Sequence, residues 1–166
     1  VELPNHPHRH EILSTEPLKP FLAPLVSLLS SGLYFSQSMR GEIVGGVSNE
    51  DVPHGLDMAS SHKFLGIYAK ALTRACPILG GLKVLRQWAG CYDLTPDGGP
   101  IVGRVPDPSN LTLACGFMGH GFMMAPVMAN LYADLLCGGP RHPIFDRCLL
   151  RRFDQALTDR EEMIIG

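Results

Sequence analysis

Several things are scarce in this 166-residue sequence, and each scarcity narrows what the chain can do. No apolar run reaches the roughly 18 to 20 residues that a helix needs to cross a bilayer. The segment 122–137 comes nearest in character but is interrupted by Pro126, Asn130 and Asp134, so a buried helix is expected there and no membrane span. There is no block of Lys and Arg, and a net charge of -2 offers no electrostatic footprint for nucleic acid. The five cysteines, at 76, 91, 115, 137 and 148, are odd in number and form no Cys-x-x-Cys pair. Reduced core thiols are expected, and neither a disulfide framework nor a zinc site. His6, His8 and His10 alternate and would share one strand face, which reads as a histidine-bearing strand and not as a metal centre. No basic-apolar signal segment or targeting motif is recognisable, so a cytoplasmic location is the expectation.

What is present suits a folded chain of about one domain: 45% hydrophobic residues and 18% charged ones can bury a real core. Arg9–Thr15 reads as a strand between prolines, and 20–31, broken by Pro24, as a loop with a short helix. Gly32–Ser38 and Glu42–Val47 read as an antiparallel hairpin, with Gly45 and Gly46 marking a bulge or a close approach. Phe64, Leu65, Ile67, Tyr68, Ala71, Leu72 and Ala75 recur at helical spacing. Ser60 or Ser61 can cap that helix and Pro77 ends it. Leu82–Tyr92 returns to strand, Thr95–Pro100 is a turn by its own chemistry, and beyond Gly138-Gly-Pro140 a polar tail is expected in which Phe145 and Phe153 can dock, with Asp159–Glu162 solvated.

The rest of the chain is arranged around Leu111-Thr-Leu-Ala-Cys-Gly-Phe-Met-Gly-His-Gly-Phe-Met-Met-Ala-Pro126. Leu111–Cys115 reads as a short buried strand, the glycines at 116, 119 and 121 as a turn, and Phe122 onward as a helix carrying Met123, Pro126, Val127, Leu131, Leu135 and Leu136 at spacings of three and four. Glycines admit a close backbone approach, and a helix start presents unsatisfied amides with the positive end of the dipole behind them. An anion, or a carbonyl gaining negative charge, fits such a place.

Together with Trp88-Ala-Gly-Cys-Tyr-Asp-Leu-Thr-Pro-Asp-Gly-Gly-Pro-Ile-Val-Gly103, the stretch Gly116–Pro126 resembles the C-terminal part of FAD-dependent amine and amino-acid oxidoreductases of the D-amino-acid oxidase superfamily, and within it the sarcosine oxidase β-subunit group. The resemblance implies a mixed fold, α+β and α/β: residues 1–92 as part of a substrate-binding domain built on an antiparallel sheet with helices, and 93–166 as the strand-helix return of a Rossmann-type FAD domain plus a tail. It implies FAD, with Gly116, Met118, Gly119, His120, Gly121, Phe122 and Met123 at the cofactor, Trp88, Tyr92 and Arg86 toward a small amine or amino-acid substrate, and Tyr92 and His120 as catalytic candidates.

Departures from the family pattern refine this. Tyr92 stands where D-amino-acid and glycine oxidases carry a carboxylate-binding arginine, and Met123 where many sarcosine-acting members carry a lysine, so the amine stays open among sarcosine-, glycine- and proline-like compounds. The position at which monomeric sarcosine oxidases attach flavin through cysteine is Gly90 here; Cys91, one place off, would point to the other strand face, and noncovalent FAD is expected. The Gly-x-Gly-x-x-Gly that grips the FAD pyrophosphate is absent from these residues. A truncated or split enzyme is therefore expected, either active with its missing FAD-binding portion or a non-catalytic subunit completing a partner's flavin site. The strand 111–115 would lack its parallel neighbours, and association into an oligomer is expected.

Overall fold

A computed structural model describes residues 1–49, 51–53 and 55–154. Asp159–Glu162, expected to be solvated, lie outside the described residues. The chain divides into two compact units, His8–Cys91 in one and Val1–Pro7 with Tyr92 onward in the other.

The His8–Cys91 unit is a five-stranded sheet in the order β2-β3-β4-β1-β5 with one long helix on it. The strands are β1 (His6–Pro17), β2 (Val26–Leu28), β3 (Leu33–Gln37), β4 (Glu42–Val47) and β5 (Val84–Leu94), and the helix is α1 (His62–Ala75), followed by a 3-10 turn at Pro77–Gly81. Strands β3 and β4 form the expected antiparallel hairpin, and β4 pairs antiparallel with β1. Thr15 explains an irregularity in that last pairing: its Oγ1 accepts the Ile43 amide at 3.0 Å, so a side chain takes over a ladder position. Leu13, Leu33, Phe35, Ile43 and Val47 alternate inward and meet Phe64, Tyr68 and Leu72, which recur every four residues along α1. Burying each such side chain contributes about 1.5 to 3 kcal/mol. Close approach is the reason for both glycines of β4: a Cβ on Gly45 would meet the Tyr68 hydroxyl at 2.6 Å on the α1 side, and one on Gly46 would meet His10 Nε2 at 2.7 Å on the other.

Ser61 caps α1, its Oγ accepting the Phe64 amide at 3.1 Å. The buried Glu11 carboxylate in turn accepts the Ser61 amide at 2.7 Å and its hydroxyl at 2.9 Å, while Arg9 holds Asp57 and the Ala59 carbonyl. The segment entering α1 is thus stitched to β1.

In the other unit, β6 (Ile101–Arg104) pairs antiparallel with β7 (Thr112–Cys115), and the helix α2 (Gly121–Cys137) follows a glycine turn. A short helix α3 (Ile144–Arg147) and a 3-10 turn (Leu150–Arg152) complete it. Val102, Phe145 and Cys148 form its core, flanked by Phe117, Met128, Leu131, Tyr132 and Leu135.

Several expectations are met with differences. The stretch 20–31 holds no helix but the strand β2, because Val26–Leu28 finds a partner in Leu33–Phe35. Strand β7 has no parallel neighbour among the described residues, as expected, and finds its partner within the chain, antiparallel to β6. Helix α2 is not buried: none of its residues falls in the buried class, and Phe122 is 95% exposed, because its apolar residues surround it while only the side bearing Met128, Leu131, Tyr132 and Leu135 meets the core. Past Pro140 Phe145 docks as expected, fully enclosed, but the segment is more than a polar tail, since it forms a short helix and buries Cys148 and Arg152. All five cysteines are free; Cys148 is the buried one, and Cys137, in the last turn of α2, is exposed rather than a core thiol. None of the helices among the described residues is long and apolar enough to cross a membrane.

Candidate functional site

The turn between β7 and α2 is built by left-handed backbone. Gly116 (φ 75°) and Gly119 (φ 86°) supply it without penalty, while Met118, at φ 52° and buried, adopts it as a non-glycine residue. Such a backbone costs of order 1 kcal/mol or more and persists only where its surroundings enforce it. Those surroundings are specific. The Asp93 carboxylate accepts the Gly116 amide at 2.6 Å, and Asn5 Nδ2 donates to the other Asp93 oxygen at 2.7 Å. A Cβ on Gly116 would stand 2.5 Å from the Thr95 methyl, and one on Gly119 2.7 Å from the ring of Tyr92. Tyr92 therefore lies directly on the backbone at Gly119.

Helix α2 then opens with no side-chain cap. His120 gives its amide to the Phe117 carbonyl at 2.8 Å and accepts the Met124 amide at 3.1 Å, so of the amides expected to face a ligand, that of His120 is already engaged. Gly121, Phe122 and Met123 occupy the first turn, where amides have no acceptor within the helix. Three such donors with the helix dipole behind them form a positive rim. Beside them an apolar groove of about 200 Å³ is lined by Val102, Ala114, Phe117, Gly121, Ala125 and Met128, among others.

The predicted residues thus divide. Tyr92, Gly116, Met118, Gly119, His120, Gly121, Phe122 and Met123 assemble in one turn. Arg86 and Trp88 belong to the sheet unit, both exposed, Trp88 at 38%. Alternation sets their side: Gln87 donates to Glu11 and to the Ser61 carbonyl at the start of α1, so Arg86 and Trp88 lie on the opposite, open face of the sheet. On that face His10 Nε2 is 3.1 Å from the Tyr34 hydroxyl, the two rings stacked. Burial, with the charge of His8 adding to it and Glu11 opposing it, brings the His10 pKa down from 6.5 to about 4, so the ring is neutral at pH 7. Cys91 is turned toward the Gly55 carbonyl, at 3.7 Å.

Sequence reasoning gave no role to Asn5 and Asp93, the pair that anchors Gly116, and read His10 only as one of an alternating set, without its partner Tyr34. Asp93 had a signal in hand, a carboxylate next to Tyr92 inside the motif; Asn5, 88 residues away, had none.

The FAD dependent oxidoreductase (DAO) family model matches residues 1–135. Sarcosine oxidase subunit beta of Rhizobium meliloti is 30% identical over 98% of this chain and 38% of its own length, and glycine oxidase of Pseudomonas putida 31% identical over 88% and 38%. Among solved structures, L-proline dehydrogenase from P. horikoshii superposes with a TM-score of 0.86 at 31% identity, over 94% of this chain and 42% of that one. The chain thus spans about two fifths of the length of the curated relatives it matches.

Proposed function

Because this chain belongs to the FAD-dependent oxidoreductases of the D-amino-acid oxidase superfamily, sarcosine oxidase-like, we propose that it supplies the flavin-facing turn and part of the substrate wall of an enzyme that oxidises the C–N bond of a secondary amine or amino acid. The observation that carries this is the packing of Tyr92 on Gly119 at the mouth of α2, beside three first-turn amides without helical acceptors. The turn fits a flavin: its first-turn amides offer donors to a ring edge that gains negative charge. When bound, FAD supplies the electron acceptor for a hydride equivalent leaving the carbon next to nitrogen. The residues here do the rest. Amides of Gly121, Phe122 and Met123 hold negative charge, and a preorganised donor of this kind is worth about 2 to 4 kcal/mol. Tyr92 fixes the turn with one face of its ring and borders the substrate. His120, its amide already bonded, can contribute only through its ring. The sheet unit contributes Arg86 and Trp88, exposed on one of its faces, toward the substrate, and an arginine suits a carboxylate.

The substrate class follows the relatives, which are named for sarcosine, glycine and proline. FAD is held noncovalently, since Gly90 has no side chain to offer and Cys91 is turned to Gly55. The pyrophosphate grip comes from residues outside this sequence, whether on the same polypeptide or on a subunit. The test is to purify the protein with flavin, precipitate it in acid and measure turnover of sarcosine, glycine and proline. Flavin released into the supernatant together with amine-dependent reduction supports the reading; flavin that stays with the precipitate refutes the noncovalent bond, and bound flavin that none of the three amines reduces refutes the proposed substrates. The exposed apolar side of α2 favours a second reading, a non-catalytic subunit that completes a partner's flavin site. That reading predicts no flavin retention until the partner is added.

A further inference from the structure

Arg152 stands outside both motifs, yet it is 5% exposed and among the most heavily bonded side chains of its unit. Its Nε lies 2.7 Å from Asp97 Oδ2 and its Nη2 2.9 Å from Oδ1, a two-pronged contact. Nη2 also donates to the Gly99 carbonyl at 2.7 Å, Nη1 to the Leu149 carbonyl at 3.3 Å, and the guanidinium sits 4.1 Å over the Phe153 ring. Asp97 accepts the Gly99 amide at 3.1 Å, and the Thr95 hydroxyl donates to the Gly99 carbonyl at 2.8 Å. One planar cation therefore sets the shape of the whole turn from Thr95 to Gly99. Thr95, itself buried, is the residue whose methyl occupies the space a Cβ on Gly116 would need.

The geometry points to Arg152 as a positioning residue for the cofactor-facing turn: through Asp97, Gly99 and Thr95 it sets the seat of Gly116, and through Gly116 the direction in which the amides of Gly121, Phe122 and Met123 point. This rests on the flavin-facing reading of that turn. Fork geometry is essential to it, because a lysine keeps the charge but cannot bridge both carboxylate oxygens and the Gly99 carbonyl from one plane. Asp97 alone could shape the turn as an ordinary Asx residue. Its near-complete burial, however, needs a fixed partner to compensate the lost hydration, and Arg152 is that partner.

The test uses the protein purified with its flavin and four variants: Arg152→Lys, Asp97→Asn, Ser61→Ala as a stability control in the other unit, and Gly119→Ala as a check on the site itself. We expect Arg152→Lys and Asp97→Asn to weaken FAD retention at least tenfold and to shift the visible bands of bound flavin. Ser61→Ala, at a comparable loss of thermal stability, leaves both unchanged. If Arg152→Lys does not fold, Asp97→Asn decides, since it preserves side-chain shape. An unaltered spectrum and affinity in both variants, with Gly119→Ala perturbing them, overturns the role of Arg152 and leaves the site standing. An unaltered spectrum in Gly119→Ala as well overturns the site.

Discussion

Gly119 carries a double demand. Its φ of 86° disfavours a side chain, and the Tyr92 ring fills the space one would occupy. Gly119→Ala is expected to cost about 1 to 3 kcal/mol of unfolding free energy, measured in urea, because strained backbone and an overpacked contact add. A second residue reports through pH. The His10 pKa falls from 6.5 to about 4 on folding, so the unfolded chain binds more protons between those values. Stability from the neutral ring is complete above pH 6.5 and is lost as pH drops toward 4, on the order of 3 kcal/mol in all. Urea midpoints at pH 7.5 and 4.5 check this, and in His10→Gln that part of the slope disappears; a slope retained in the variant assigns it to other groups. At this scale the paired motifs singled out Tyr92 and Gly119, and the structure brings the two into contact. Arg152 was not legible: it sits beside Arg151, which is exposed, and nothing local distinguishes the buried arginine from the solvated one.

Among the elements, α1 was readable in full. Phe64, Tyr68 and Leu72 repeat with the helix, Ser61 stands at the cap and Pro77 follows the end. What the pattern did not carry is the support beneath that cap. Glu11→Ala leaves the Ser61 amide and hydroxyl and the Gln87 amide without their buried acceptor, and we expect thermal unfolding to show a loss of about 1 to 3 kcal/mol, more than the roughly 1 kcal/mol of Ser61→Ala. Equal losses would mean that water replaces the carboxylate. Strand β2 escaped notice because three residues carry no period; its conformation is chosen by β3. In α2, apolar residues on every side erase the contrast from which an inward face is deduced, so the exposed stripe of Met123 and Val127 looked the same as the packed side.

For the molecule as a whole, the informative surface is the exposed apolar part of α2. Phe122, Met123, Val127 and Leu136 are exposed on one helix, at 95%, 68%, 64% and 46%. An apolar surface of this kind marks contact with other protein. This chain by itself is expected to associate, eluting larger than its 18.1 kDa in size-exclusion chromatography, and Val127→Glu with Leu136→Glu should shift it toward the monomer. A double variant that elutes unchanged would place the contact elsewhere. The family and its fold class were legible because two motifs in the right order are specific. The long-range tethers were not, since Asn5 to Asp93 and Asp97 to Arg152 join residues 88 and 55 positions apart through side chains that any surface could carry.

The span between Asp97 and Arg152 also orders events in time. During synthesis the glycine turn leaves the ribosome complete in sequence more than thirty residues before Arg152 does, and until then Asp97 is a carboxylate with no cation to shelter it. A message interrupted between Pro126 and Arg152 would yield a polypeptide with every residue of both motifs and no clasp to set them.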